Sequence, residues 1–249
     1  MPPSSPDSVV DRTIGPDTDV ARDDVVTASL TLGAAVGVFG LVFGVGAVSA
    51  GASVIQACVM SLLVFTGASQ FSAVSVVAAG GGASAALGGA MVLAARNAVY
   101  GLAMSRVITG SLVTRALAAQ LTIDESTAMA SVQRDPADKR RAFWITGTAV
   151  YVCWNTATLV GALVGSAIEP ETYGLDVAFP AGFVAMVAPH LRHRLGLVAA
   201  SLGSLICLVL IPFTPVGVPI LCASAAVLVG LRAPDAAHPD DLPDEGMLV

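Results

Sequence analysis

The chain has 249 residues, of which 55% are hydrophobic and only 12% charged, and its mean hydropathy is +0.80. A soluble domain carries roughly twice that ionic content, so the composition excludes an ordinary water-soluble globule and points to the bilayer. Residues 1–27 and 232–249 each sum to −4 and the segment between them to +2, so the acidic balance belongs to the tails. Nothing offers the basic surface that a nucleic-acid partner needs.

The first 27 residues, with six Asp and two Arg, read as a disordered acidic tail rather than a secretory leader. From Val25 to Ile123 no acid occurs. A spanning helix takes about 20 mostly apolar residues, and the first candidates are 29–50, 52–79 and 83–105, the last carrying Arg96. A polar stretch, 106–141, follows with six Lys and Arg. Its part 107–122 is apolar enough to lie on the membrane surface or to extend the preceding helix. Further candidates are 142–166, a short segment at 173–189, and 195–231, which is too long for one span and is divided by Pro212, Pro215 and Pro219. The expected fold is all-α, a polytopic transmembrane bundle of about seven spans, or six. It occupies residues 28–231 and ends in a disordered acidic tail at 232–249.

Basic loops mark the cytoplasmic side. The 106–141 stretch and Arg192-His193-Arg194 should face inward, and the 167–175 loop, with Glu169 and Glu171, outward. The C-terminus then falls in the cytoplasm. Three full spans before residue 106 would put the N-terminus outside, whereas a re-entrant second segment would put it inside.

No nucleophile elbow, phosphate loop or zinc-protease motif is present, so neither an enzyme nor a cofactor is expected. Cys58, Cys153, Cys207 and Cys222 lie in apolar runs and read as fillers, not metal ligands. Small residues pair at packing distance in Gly33/Gly37, Gly40/Gly44 and Gly161/Gly165. Thr66-Gly67-Ala68-Ser69-Gln70-Phe71 stands mid-span in the second candidate. Either it interrupts the helix and frees backbone groups for a solute, or the helix is straight and Ser69 and Gln70 bond a neighbour.

Arg96 is the sharpest feature, because a cation at mid-bilayer depth costs about 2.5–3.5 kcal/mol. Asn97 adjoins it and Tyr100 lies one turn along the same face. A guanidinium clasps a carboxylate well, which suits an amino-acid substrate; an ion pair with Asp124 or Asp176 would also account for it. Asp124, Glu125 and Asp176 are candidates for coupling an ion, since a desolvated carboxylate holds a proton more readily. Asn155 should bond across helices, beside Trp154.

Four stretches then carry a likeness: Met60-Ser61 through Gly67-Ala68-Ser69-Gln70-Phe71; Arg96 with Tyr100-Gly101; Asp124-Glu125; and Trp154 through Gly161 and Gly165. Gly174-Leu175-Asp176 to Phe179-Pro180, Phe183 and Pro189 extend it. Over roughly residues 36–190 the chain resembles the AzlC family of branched-chain amino-acid permeases, the large subunit of a two-component exporter. The resemblance implies export of valine, leucine and isoleucine from a prokaryotic cell across its inner membrane, with a small AzlD-type membrane subunit. It also implies substrate contacts from Arg96, Asn97, Tyr100, Gly67, Ser69, Gln70 and Asn155. Members usually read Asn-Leu-Arg-His where this chain has Ala94-Ala95-Arg96-Asn97, which puts substrate preference in question. The alternative of another class is a non-transporting membrane scaffold or regulatory subunit.

Overall fold

Apolar runs without acids close into one helix after another. The computed structural model describes residues 16–167, 181, 184–185, 187–188, 190–215 and 217–226, and no strand occurs among them. Helix α1 runs Pro16–Ser49, α2 Val54–Val64, α3 Ala68–Ala78, α4 Ala83–Met104, α5 Leu112–Gln120, α6 Asp124–Ser131 and α7 Pro136–Ala167. Beyond a single 3-10 turn at His190–Arg192 come α8, Arg194–Leu210, and α9, Val218–Ala223.

Helix α1 begins earlier than the expected tail boundary at residue 27. A proline suits a first helical position, where its missing N–H has no intrahelical partner to lose. Residues 16–27 are therefore helical.

Helices α1 and α7 form the spine. They run parallel, because successive glycines of α1 meet successive residues of α7. A Cβ on Gly33 would lie 3.1 Å from the Ala149 backbone, one on Gly40 would lie 2.6 Å from the Trp154 carbonyl oxygen, and one on Gly165 would lie 3.1 Å from Val45 Cα. Gly44 and Gly161 are tighter still against Thr158 and Leu41. Backbones this close let hydroxyls bond across: Thr158 Oγ1 donates to Gly40 O at 3.2 Å, and Ser29 and Thr146 share a buried 2.8 Å bond. The three glycine pairs are thus intramolecular packing, as their spacing suggests. Helix α4 runs the other way, since its last residue, Met104, clusters with Phe143 near the start of α7.

The second candidate span is not a span. Residues 54–78 form two 11-residue helices that fold back on each other. Gln56 and Met60 of α2 share one cleft with Ala73, Val74 and Val77 of α3 and with the α1–α2 turn at Ala50–Ala52. The fold-back turns at Phe65-Thr66-Gly67, where Gly67 has φ +59° and ψ −91°, a conformation that costs an L-residue strain.

The 106–141 stretch is not all loop either, and within 107–122 a separate helix, α5, follows α4 instead of extending it. Helices α5 and α6 fold back likewise. Ala118 of α5 and Ala130 of α6 both join the cluster of Met104, Ile108 and Phe143, Leu121 of the turn between them packs against this cluster and against that of Phe43 and Trp154, and Gln120 reaches the first fold-back. Short polar side chains set this second turn: Ile123 N–H donates to Ser126 Oγ at 3.1 Å, and Ser126 Oγ donates to Leu121 O at 2.6 Å.

The described residues do not confirm the count of seven spans. Among the described residues three helices are long and apolar enough to cross a membrane: Asp24–Ser49 within α1, α4 and α7. Between α1 and α4, the α2–α3 hairpin dips in from one end of the bundle; between α4 and α7, the α5–α6 hairpin dips in from the other. This is the re-entrant alternative, and it places the start of α1 at the same end as the basic residues 134–141. In the C-terminal stretch, Cys207 Sγ of α8 donates to Pro219 O of α9 at 3.4 Å, and Leu221 packs against Gly88 of α4. The short candidate span at 173–189 and the tail at 232–249 fall outside the described residues, apart from a few positions between 181 and 188.

Candidate functional site

Breaking a helix inside hydrocarbon frees backbone groups that no water can satisfy, and each must find a protein partner. At the first fold-back turn the partners are specific. Gln70, fully buried, accepts from Gly67 N–H at 3.1 Å and from Thr66 N–H at 3.4 Å through Oε1. Its amide donates to Met60 O at 3.4 Å. Leu62 O accepts from Gln120 Nε2 of the second hairpin at 2.8 Å and from the Tyr151 hydroxyl of α7 at 3.1 Å. Ser69 Oγ pairs with Thr66 Oγ1. The two turns thus touch, tied by Gln120 to Leu62.

Where they touch lies a small cavity. Its walls are Val36 of α1, Phe65, Thr66 and Gly67 of the first turn, Arg96 and Asn97 of α4, Ile123, Asp124 and Glu125 of the second turn, and Val150 and Trp154 of α7. Each hairpin also presents the N-terminus of its second helix here, α3 at Gly67 and α6 at Ile123. Both ends carry the positive pole of a helix dipole, which favours an anion. Arg96 adds a full charge.

An anion is present. Asp124 Oδ2 lies 2.6 Å from Arg96 Nη1, with the two side chains 40% and 41% exposed. The pairing uses one carboxylate oxygen; Oδ1 is buried with no hydrogen-bond partner. Tyr100, one turn beyond Arg96, stands within electrostatic range of Arg96, Asp124 and Glu125. Asn97 Nδ2 donates to Thr122 O at 3.3 Å, fastening α4 to the second turn. Trp154 is 3% exposed, wedged between Phe43 and Phe71, and its Nε1–H also has no partner among the described residues. The cavity holds about 40 Å³, room for a few waters at roughly 10–15 Å³ each and far too little for an amino acid.

The structure gathers Gly67, Arg96, Asn97, Asp124 and Glu125 around one space, with Tyr100 at its edge. Ser69 and Gln70 do not line it, because their polar atoms are consumed in closing the turn. Asn155 does not line it either. Its Oδ1 accepts from Ser61 at 2.7 Å and its Nδ2 donates to Tyr151 O at 2.8 Å, so it ties α2 to α7. Asp176 lies outside the described residues. Sequence reasoning passed over Trp154 as a candidate ligand, since an indole in an apolar span looks like packing. Nothing in the local pattern shows that its N–H is left over.

The family described as AzlC protein matches residues 31–168, a range that contains every residue lining the cavity. No curated protein and no solved structure matches the chain.

Proposed function

The chain belongs to the AzlC family of membrane proteins, and from that premise we propose that it is a secondary carrier exporting branched-chain amino acids. The observation that supports this reading is the meeting of two hairpins, inserted from opposite ends of the bundle, at a cavity that holds Arg96. Inverted elements with broken helices let a central site open to one side and then the other while its ligands stay in place. Arg96 and the N-termini of α3 and α6 hold the substrate carboxylate, and Gly67 brings backbone close. Val36, Phe65, Ile123, Val150 and Trp154 form apolar walls for a valine, leucine or isoleucine side chain. Asp124 and Glu125 are the groups on which an ion gradient would act, with Asp176 as a third candidate. A small AzlD-type membrane subunit works beside this chain, and the C-terminus faces the cytoplasm.

A scaffold without transport draws support from the same ion pair, because an Arg96 already neutralised needs no solute. Of the four buried side-chain polar atoms without a partner among the described residues, two, Asp124 Oδ1 and Trp154 Nε1, belong to residues that line the cavity, which supports a site over a scaffold. Reconstitution in liposomes with and without the small subunit, followed by valine efflux under imposed proton and sodium gradients, tests the proposal. Saturable efflux is expected, and it should vanish in Arg96→Ala while the variant still inserts. Absence of flux under every gradient, or wild-type efflux from Arg96→Ala, refutes it.

A further inference from the structure

The cavity presents one guanidinium and two carboxylates, and it is too small for a substrate while Arg96 and Asp124 remain together. A zwitterionic amino acid carries the complement of what is there. Its carboxylate needs a cation, and Arg96 is the only cationic residue that lines the cavity. Its ammonium needs an anion, and both anionic residues are adjacent on the first turn of α6.

We infer that Asp124 occupies the seat of the substrate carboxylate, and that binding is an exchange of partners. The incoming carboxylate takes Arg96; the released Asp124, with Glu125 beside it, takes the ammonium. The inference rests on the reading of Arg96 as a substrate ligand and adds what the site recognises: both charges of an α-amino acid at once.

Three observations carry it. The present pairing engages a single carboxylate oxygen, although a guanidinium offers a fork that a free carboxylate fills with two bonds. The remaining oxygen, Oδ1, is buried and no donor reaches it in hydrogen-bond geometry, although the Tyr100 hydroxyl stands beside the carboxylate, so Asp124 keeps acceptor capacity that an ammonium would meet. Asp124 stands at the N-terminus of α6, adjoining the turn, and belongs to neither helix of the α1–α7 spine. A ligand with a carboxylate alone would take Arg96 from Asp124 and give Asp124 no cation in return, and a ligand with an ammonium alone would leave Arg96 still paired and the cavity closed.

The test is competition for radiolabelled valine on the purified full chain in detergent. The competitors are unlabelled valine, 2-oxoisovalerate (the same skeleton with a carboxylate only) and isobutylamine (an ammonium only). A site that reads both groups rejects each half-ligand by at least about a hundredfold relative to valine. Displacement by 2-oxoisovalerate or isobutylamine at concentrations close to those of valine overturns the inference, while valine binding lost in Arg96→Ala would leave the carrier reading standing. In Asp124→Asn the competitor for Arg96 is removed, so 2-oxoisovalerate should gain about tenfold relative to valine, a coupling of ordinary size; an unchanged ratio also overturns it. Should Asp124→Asn fail to fold, the wild-type competition decides alone. Valine binding that survives Arg96→Ala sinks both readings together.

Discussion

Gly40→Ala puts one methyl group where α1 and α7 leave no room for it, and the cost can be worked from the geometry. The new Cβ would stand 2.6 Å from the Trp154 carbonyl oxygen and 3.1 Å from Trp154 Cα. Ordinary contact begins near 3.4 Å, so the helices must part by roughly 0.8 Å at that level. Both neighbours are backbone, and no rotamer change relieves them. Parting the helices also stretches the 3.2 Å bond from Thr158 Oγ1 to Gly40 O beyond hydrogen-bond length. Overpacking costs about 1–3 kcal/mol and the lost bond about 0.5–1.5 kcal/mol, while replacing a helical glycine returns about 0.5–1 kcal/mol. The expected net loss is about 0.5–4 kcal/mol. Gly101→Ala is the control: it lies in α4 with nothing within 4 Å of its Cβ position, so it should be neutral or slightly stabilising. Thermal unfolding in detergent, followed by tryptophan fluorescence, reads both. Equal midpoints for the two variants would refute the claim that glycine-mediated backbone contact holds the spine together.

Gly67→Ala has space, its Cβ meeting only Trp154 at 3.9 Å, so its cost comes from forcing alanine into a positive φ, about 1–3 kcal/mol; an unaltered midpoint in the same thermal assay would show that the turn relaxes freely. Gln70→Met removes the acceptor for two buried N–H groups and the donor to Met60 O, at about 1–3 kcal/mol for each group left unmet, and should lower the yield of folded protein while Gln133→Met does not. In a background without the native cysteines, single cysteines at Ser111 and Gln133 should react with a membrane-impermeant thiol reagent from one face and those at Gly51 and Gly80 from the other. Labelling of 111 and 133 from opposite faces would rule out the second hairpin. Thr158→Val, which keeps shape but drops the bonds to Gly40 O and Ser61, should cost about 1 kcal/mol in thermal stability, and no change would mean the contact carries nothing.

By itself the sequence determined the solvent, the helical class and the charged residue set among the apolar helices. Some 20 apolar residues in a row can satisfy their backbones in lipid only as helix, glycines four apart let two helices touch, and a lone arginine among them demands a partner. Those are local or one-dimensional constraints, and α1, α4 and α7 were legible for that reason. Whether 54–78 crosses the bilayer or turns back was not legible, because hydropathy measures affinity for hydrocarbon and is blind to direction. The turn at Phe65-Thr66-Gly67 exists only because Gln70, Gln120 and Tyr151 come from three elements to meet the groups it frees. The polar segment 112–131 was hidden for the opposite reason. Its Ser, Thr and Asp residues look like loop; the sequence offered Asp124 and Asp176 alike as partners for Arg96, and only the fold, by bringing the second hairpin against α4, sets Asp124 2.6 Å from Arg96.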